Sequence, residues 1–346
     1  MMNKTNDTIA KSHTRQAQRV NLPMPFGWFQ VLYSHELAVG TSLPLSYFDR
    51  ELVIFRTESG LAKVLDAHCA HMGAHLGYGI RDNAGGGSRV VGESIVCPFH
   101  GWQFNGEGEC TGIPYAKNLP PRVARCEKLI PSWHVRELNQ CIYVWYHPEN
   151  IEPLFEPPVI SEAAADNGEW GELKIQQWDI DTHMQEIGEN AVDAAHFCFV
   201  HGTPEIPEPT LSEFDGFLRH GLFESEMVTP KGTIQGRIEN SSTGPGLSVV
   251  RFSGICDTVL MANITPIDAH RSRAHYAFIQ RDGGGKTMGR VAQAIVDDIC
   301  QQMEEDKIIW AHKVYLEKPL LCDGDGPFAK FRRWYGQFLI ADNCND

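Results

Sequence analysis

The chain has no run of about 18 apolar residues, the length a membrane-spanning helix requires, so its apolar residues belong to a folded core. Positive charge is also scarce. With 30 Lys and Arg against 44 Asp and Glu, the formal net charge is −14, and no dense basic cluster is present to neutralise phosphates, which argues against general nucleic-acid binding. The opening MMNKTNDTIAKSHTRQAQRV lacks the apolar segment of a signal peptide and reads as a flexible tail; a soluble, cytoplasmic protein is expected. No dinucleotide fingerprint stands between a strand and a helix, and no internal repeat occurs. Nor do the 10 Cys form a disulfide framework: Cys141, Cys256 and Cys300 lie in apolar surroundings and read as reduced core thiols. Only Cys69 and Cys97 stand beside histidines at ligand spacing.

What is present suffices for two domains, since 346 residues with 42% hydrophobic content can bury a sizeable core. From Trp28 to His147, short β-type runs such as LVIFRT, AKVLDAH, SIVCPFHGWQF and CIYVWYH alternate with Gly, Asn and Pro punctuation, which predicts a small all-β domain. The acidic, Pro-rich HPENIEPLFEPPVISEAAADNGE reads as a boundary. Beyond it, 182–199 has helical spacing, 210–280 reads as strands and turns, and 290–313 is a long helical pattern, so an antiparallel sheet flanked by helices is expected. The division is therefore a tail at 1–26, a first domain at 27–147 and a second at 148–346, with GGG loop tips at Gly85 and Gly283.

Two stretches of the first domain carry chemistry: CAHMGAHLGYG from Cys69 and CPFHGW from Cys97. Two thiolates and two imidazoles hold either one tetrahedral zinc or a [2Fe–2S] cluster with both Cys on one iron and both His on the other. Zinc fingers usually pair like with like on each loop. Here each loop supplies one Cys and one His, the mixed pairing a cluster needs, because each loop then spans both irons. Cys69, His71, Cys97 and His100 are thus the candidate ligands, with Pro98, Gly101 and Trp102 allowing a tight, shielded turn. The 25 residues between His71 and Cys97 include RDNAGGGSRV, read as a surface-loop insertion of little energetic cost. His68 and His75 read as ordinary polar residues.

The second domain opens with EIGENAVDAAHFCFVHGTPEIPEP, which contains Glu186, Glu189, Asn190, Asp193, His196 and His201. As one helix it would place Glu189, Asp193 and His196 on one face and Val192, Ala195 and Phe199 on another. On a continuous helix His201 would lie about 140° round from His196. Gly202 and Pro204 instead end the helix near Val200 and let His201 swing back. Two imidazoles and a carboxylate form the facial triad of non-haem Fe(II) oxygenases, which leaves positions open for O2. The carboxylate is sought in RVAQAIVDDICQQMEEDKIIWAHK, where Asp306 is set into the apolar stripe Val291, Ile295, Ile299, Met303 and Trp310. A buried acid must be paired or metal-bound. Asp297, Asp298, Glu304 and Glu305 fall off the stripe and read as solvated charges.

The two Cys and His loops resemble a Rieske domain. The order Asn190-x-x-Asp193-x-x-His196-x4-His201, with an acid far downstream, resembles the catalytic domain of Rieske non-haem iron oxygenases. The resemblance implies an α+β chain: an N-terminal all-β Rieske [2Fe–2S] domain, then a helix-grip-like catalytic domain of antiparallel sheet and helices. It implies a cluster on Cys69, His71, Cys97 and His100, and mononuclear Fe(II) on His196, His201 and Asp306. Asp193 would accept a hydrogen bond from His196 and bridge toward His100 of a neighbouring subunit in a head-to-tail homotrimer. Asn190 would sit beside the iron, a helix-capping role being equally open. Electrons would come from a separate NAD(P)H-dependent reductase, with or without a ferredoxin, docking on a patch such as Arg122, Arg125 and Lys128 unless that patch is only a solvated face. The stretch EEDKIIWAHKVYLEKPLLCDGDGPFAKFRRWYGQFLI resembles the steroid-acting branch, including oxygenase components of 3-ketosteroid 9α-hydroxylase; GWQFNGEGECTGIPYA and IYVWYHPE are similar to cholesterol 7-desaturases. The expected activity is O2-dependent hydroxylation of a steroid nucleus, with sterol desaturation as the alternative and a Rieske electron carrier more remote. Phe217, Phe223, Val249, Phe252 and Met261 are expected either to line an apolar pocket or to be core.

Overall fold

Valine, isoleucine and aromatic residues fill the short runs of the first half, and such side chains suit a pleated, half-buried surface. The computed structural model describes residues 22–79, 90–164, 168–207, 209–229, 232–254, 256–281 and 286–340. The Gly-rich insertion, both GGG tips and the first 21 residues of the expected tail lie outside the described residues. The chain forms two compact units, one of Gln30–Tyr146 and one of Met1–Phe29 with His147–Asp346.

The first unit is built from the part of β1 (Gly27–Tyr33) from Gln30 on, β2 (Ser42–Tyr47), β3 (Arg50–Arg56), β4 (Ala62–Asp66), β5 (Val90–Val91), β6 (Ser94–Val96), β7 (Gln103–Asn105), β8 (Cys110–Gly112), β9 (Val135–Leu138) and β10 (Cys141–Tyr146), with a one-turn helix α1 (Pro121–Ala124). They pair as three small sheets, β1-β10-β9, β2-β3-β4 and β5-β6-β7-β8. Two hairpins turn tightly on residues with positive φ, Phe48 (59°) with Asp49 (55°) and Asn139 (54°) with Gln140 (59°), a backbone twist that matches the twist of the strands. Val53, Phe55, Leu65, Leu76, Ile95 and Phe104 close one core around Cys69, Cys97 and Trp102. Each fully buried side chain of this kind contributes about 1.5–3 kcal/mol.

The second unit carries a single sheet of β11 (Lys174–Ile180), β12 (Pro209–Asp215), β13 (Leu218–Thr229), β14 (Gly232–Thr243), β15 (Leu247–Ser253), β16 (Thr258–Pro266) and β17 (Ser272–Gln280). Its order, β11-β17-β16-β15-β14-β13-β12, is an antiparallel meander with β11 added beside the last strand. Helices α2 (Met184–Glu189), α3 (Ala195–Phe199), α4 (Lys286–Trp310) and α5 (Phe328–Gly336) complete it. Alternation decides which residues meet α4. Leu260 and Phe278 pack on Val296, with Val250, Phe252, Ala262, Tyr276, Ile299 and Cys300 against them. Val249 pairs with Met261 one residue out of phase, so both belong to the opposite face and are core, not pocket lining. Phe217 is likewise engaged, packing tilted against Phe155 with ring centroids 4.6 Å apart.

Two sequence expectations change. Residues 22–26 of the expected tail are held: the Phe26 amide donates to the Phe338 carbonyl at 2.9 Å, and Pro25 bridges Leu339. The segment 182–199 is not one helix. It runs as α2, a 3₁₀ turn at Asn190–Val192, an extended Asp193 (φ −95°, ψ 103°), then α3. The break has a local cause, since the Asp193 carboxylate accepts the His196 amide at 3.2 Å, the competition with helix that short acidic side chains exert at N-termini.

Candidate metal centres

The two Cys and His loops have the same backbone plan. The Cys69 amide donates to Ala74 and the Gly73 amide to the Cys69 carbonyl; the Cys97 amide donates to Trp102 and the Gly101 amide to the Cys97 carbonyl. Each turn closes on a glycine with positive φ, Gly73 (73°) and Gly101 (71°), where a side chain would be strained. These matched turns bring His71 and His100 to 4.8 Å between ring centroids and lay Trp102 flat on His71 at 4.6 Å. Cys69 and Cys97 are buried free thiols that share a hydrogen bond, so one thiol gains acidity as the other loses it: Cys97 is lowered first by the Cys69 contact, and Cys69 is raised by it. The Nδ1 atoms of His71 and His100 are buried and have no hydrogen-bond partner. Orphaned ring nitrogens beside two buried thiols fit a [2Fe–2S] cluster held by Cys69, His71, Cys97 and His100.

The second centre draws on three elements. His196 on α3, His201 just past it and Asp306 on α4 bring one donor atom each within 4.8 Å of one another. Helix α3 ends at Phe199 and Gly202 adopts φ 71°, which returns His201 toward His196, their rings 5.1 Å apart. His196 Nδ1 meets the Asp193 carbonyl at 2.6 Å, and a carbonyl only accepts, so Nδ1 carries the proton and Nε2 is left for metal. His201 Nδ1 donates to the Glu305 carboxylate at 2.9 Å, while its Nε2 lies 3.4 Å from Asp306 Oδ1. Asn190 Nδ2 holds the other Asp306 oxygen at 2.9 Å. Each donor is thereby aimed by a second group, the arrangement that fixes tautomer and orientation around metals.

Electrostatics agrees with that geometry. Burial pushes the Asp306 carboxyl above the usual carboxylate range, while His201, His196 and Asn190 pull it back. Burial also works against the charge on His196, but Asp193 and Asp306 together lift its pKa above the ordinary value. Asp193 is lowered despite its burial by the bonds from His196. The expected contact of the His196 ring with the Asp193 carboxylate is long at 3.8 Å. The ring bonds the Asp193 carbonyl instead, because the carboxylate is taken by the His196 amide.

Sequence reasoning missed two residues. Glu305 lies off the apolar stripe, where a solvated charge is expected, yet it orients His201, and its carboxyl is held low first by that bond. Asp297, Asp298 and Glu304 do remain peripheral, taken by Gln293, Gln302 and Trp178. Gly326 is the other: a methyl group there would collide with the Val192 carbonyl, immediately before Asp193. No local signal marks either residue. The basic patch expected for docking is already engaged, as Glu127 accepts from both Arg122 (2.7 Å) and Arg125 (2.8 Å).

A mixed Cys and His cluster site on one unit and a facial His, His, Asp triad on the other define a Rieske non-haem iron oxygenase. The chain belongs to the family that joins a Rieske [2Fe-2S] domain, matched at residues 27–131, to the 3-Ketosteroid 9alpha-hydroxylase C-terminal domain, matched at 144–339. It is 32% identical to a cholesterol 7-desaturase of Xenopus laevis, over 94% of this chain and 74% of that protein. It is 29% identical to a 3-ketosteroid-9-alpha-monooxygenase oxygenase component of Rhodococcus rhodochrous, over 96% of this chain and 85% of that protein. Among solved structures, dicamba monooxygenase bound to dicamba superposes with a TM-score of 0.69 at 16% identity, covering 90% of this chain and 96% of that one. NdmA of Pseudomonas putida CBB5 with caffeine gives 0.68 at 20% identity, covering 89% of each chain. Those two likenesses show the fold. As an oxygenase component the chain depends on a separate reductase, and no helix among the described residues is long and apolar enough to cross a membrane.

Proposed function

We propose that this oxygenase hydroxylates the nucleus of a steroid. The carrying observation is one apolar sheet face: Phe223, Ile238, Val250, Phe252 and Tyr276 share the face on which α4, the helix of Asp306, packs. An apolar floor next to an iron suits a rigid hydrocarbon skeleton. The 3-ketosteroid-9-alpha-monooxygenase relative supports hydroxylation. The cholesterol 7-desaturase relative supports a second reading, removal of hydrogen from a sterol at the same centre.

Iron bound at the triad would activate O2, and the cluster would supply electrons singly. The protein's own part is positional. Asp193 and Glu305 hold His196 and His201 with Nε2 exposed to the metal, and Asn190 leaves one Asp306 oxygen for it. The apolar floor excludes water and orients a C–H bond. We assign to Asp193, partly exposed at the helix break and bonded to His196, the electron route toward His100 of a neighbouring subunit in a head-to-tail homotrimer. The reductase is NAD(P)H-dependent. A reducing cytoplasm suits the exposed free thiols of Cys126 and Cys322.

The test is product mass after iron-loaded protein is incubated with a surrogate reductase, NADH, O2, 3-ketosteroids and 3β-hydroxysterols. A ketosteroid gaining one oxygen supports hydroxylation, and a sterol losing two hydrogens replaces it with desaturation. Unchanged steroids alongside normal cluster reduction and reoxidation overturn the steroid reading.

A further inference from the structure

A buried cation with no anion among the described residues lies on the same sheet face. Arg219 on β13 is 2% exposed, and the bonds of its guanidinium go to the Ala191 carbonyl and, at 3.5 Å, to the Ser242 hydroxyl. Among the described residues its Nε has no hydrogen-bond partner and no carboxylate pairs with the guanidinium. Asn240, also buried, has an Oδ1 with no partner. Both flank Gly221, where an added methyl group would crowd Asn240 Oδ1 and come within 3.2 Å of an Arg219 nitrogen.

The register fixes where they point. Arg219 pairs with Ser242 and Ser242 with Ser248; Gly221 pairs with Asn240 and Asn240 with Val250. Val250 packs on α4, so Arg219 and Asn240 point to the face that carries the apolar floor. Ala191, which Arg219 holds, adjoins Asn190, which holds Asp306. Burial pulls the guanidinium down to about 10, still protonated at neutral pH, with no acid among the described residues to offset it. An unpaired buried charge is costly and usually has a partner in the working state of a protein.

We propose that Arg219, assisted by Asn240, binds a carboxylate carried by the substrate, so that the enzyme acts on an acidic molecule with an apolar skeleton. Combined with the steroid reading, on which this form of the inference rests, the substrate class is a steroid acid. The planar guanidinium matches a carboxylate through paired N–H donors, and its tie to Ala191 sets the anchored substrate at a fixed position relative to the iron.

The experiment is calorimetric binding to the iron-loaded enzyme of four probes: a 3-oxosteroid with a carboxylate side chain, its methyl ester, a neutral 3-ketosteroid, and an arylalkanoic acid of similar apolar bulk. The expected result is that the steroid acid binds about 30-fold or more tighter than its ester, and that Arg219→Leu removes this preference while leaving ester binding and the cluster spectrum unchanged. Arg219→Lys should retain part of it. Equal binding of acid and ester by the unaltered enzyme overturns the proposal, with no variant needed if Arg219→Leu fails to fold. So does a variant that weakens acid and ester alike. If the neutral steroid binds and is hydroxylated while the acid is ignored, the carboxylate proposal falls and the steroid reading stands. If the arylalkanoic acid binds through Arg219 and no steroid binds, the carboxylate proposal stands and the steroid reading falls.

Discussion

The two metal regions of this chain are built on different scales. Around the cluster, each ligand pair lies within five residues and is shaped by bonds that the same loop makes to itself, Gly73 to Cys69 and Gly101 to Cys97. Around the iron, Asp306 lies 116 residues from the Asn190 that orients it, and Glu305 lies 104 from His201. Local turns secure the first, and long-range packing secures the second. The cluster site should therefore tolerate damage to the rest of the fold better than the iron site does.

That contrast can be broken. Asp306→Ala should have the largest effect, loss of mononuclear iron and of turnover to background, with the visible spectrum of the cluster intact; iron analysis with absorption spectroscopy reads both. Loss of the spectrum in this variant would refute the ligand assignment. Asp193→Asn should keep both metals and nearly stop turnover, since the helix-starting bond survives in part while the charge does not. Normal turnover would remove Asp193 from the electron route. Glu305→Ala frees the His201 ring and should lower iron affinity or turnover by about 10–100-fold, with the cluster unaffected. Iron affinity equal to the unaltered protein would return Glu305 to the solvated surface.

Gly326→Ala sharpens the comparison with no change of charge. Its methyl group must displace the Val192 carbonyl beside Asp193, which should cost about 1–3 kcal/mol and slow turnover. A thermal midpoint and rate equal to the unaltered protein would show that the loop yields without moving Asp193. The smallest effect is expected from Glu137→Gln in the Rieske unit. Burial opposes ionisation of Glu137, but the paired bonds from Arg56 hold its carboxyl below the ordinary value of 4.5. A folded-state value below the unfolded one stabilises the protein above that pH, and this contribution fades as pH falls through the depressed value. The melting-temperature gap between the variant and the unaltered protein should accordingly be largest near neutrality and close in acid. A gap independent of pH would mean that the pair acts by packing alone.

Legibility follows the same division. All four candidate cluster ligands stand out because their spacing is itself the turn geometry, with Gly73 and Gly101 marking where the backbone must go left-handed. His196 and His201 were legible through the helix-ending Gly202 and Pro204. Asp306 was legible through the oddity of an acid on an apolar stripe. Glu305 was not, since no pattern in a helix tells which outward acid will meet a histidine from another element. The break at Asp193 was also hidden, because residues 182–199 have acceptable helical spacing and only a competing bond from the His196 amide interrupts it. Val249 and Met261 looked equivalent to Phe252 by composition. Strand register alone puts them on the opposite face.

The sequence by itself determined the chemistry: two mixed Cys and His turns for a cluster, two histidines and one out-of-place acid for an iron, and apolar runs of strand and helix period for an α+β chain. Those signals are short-range, so they survive in one dimension. Tertiary structure alone decided which groups aim the ligands, which sheet face lies beside the iron and that Arg219 is buried there without an anion. Each depends on strand register and on contacts between residues far apart in the chain, where burial changes the energy of a charge and spacing along the sequence carries no record of it.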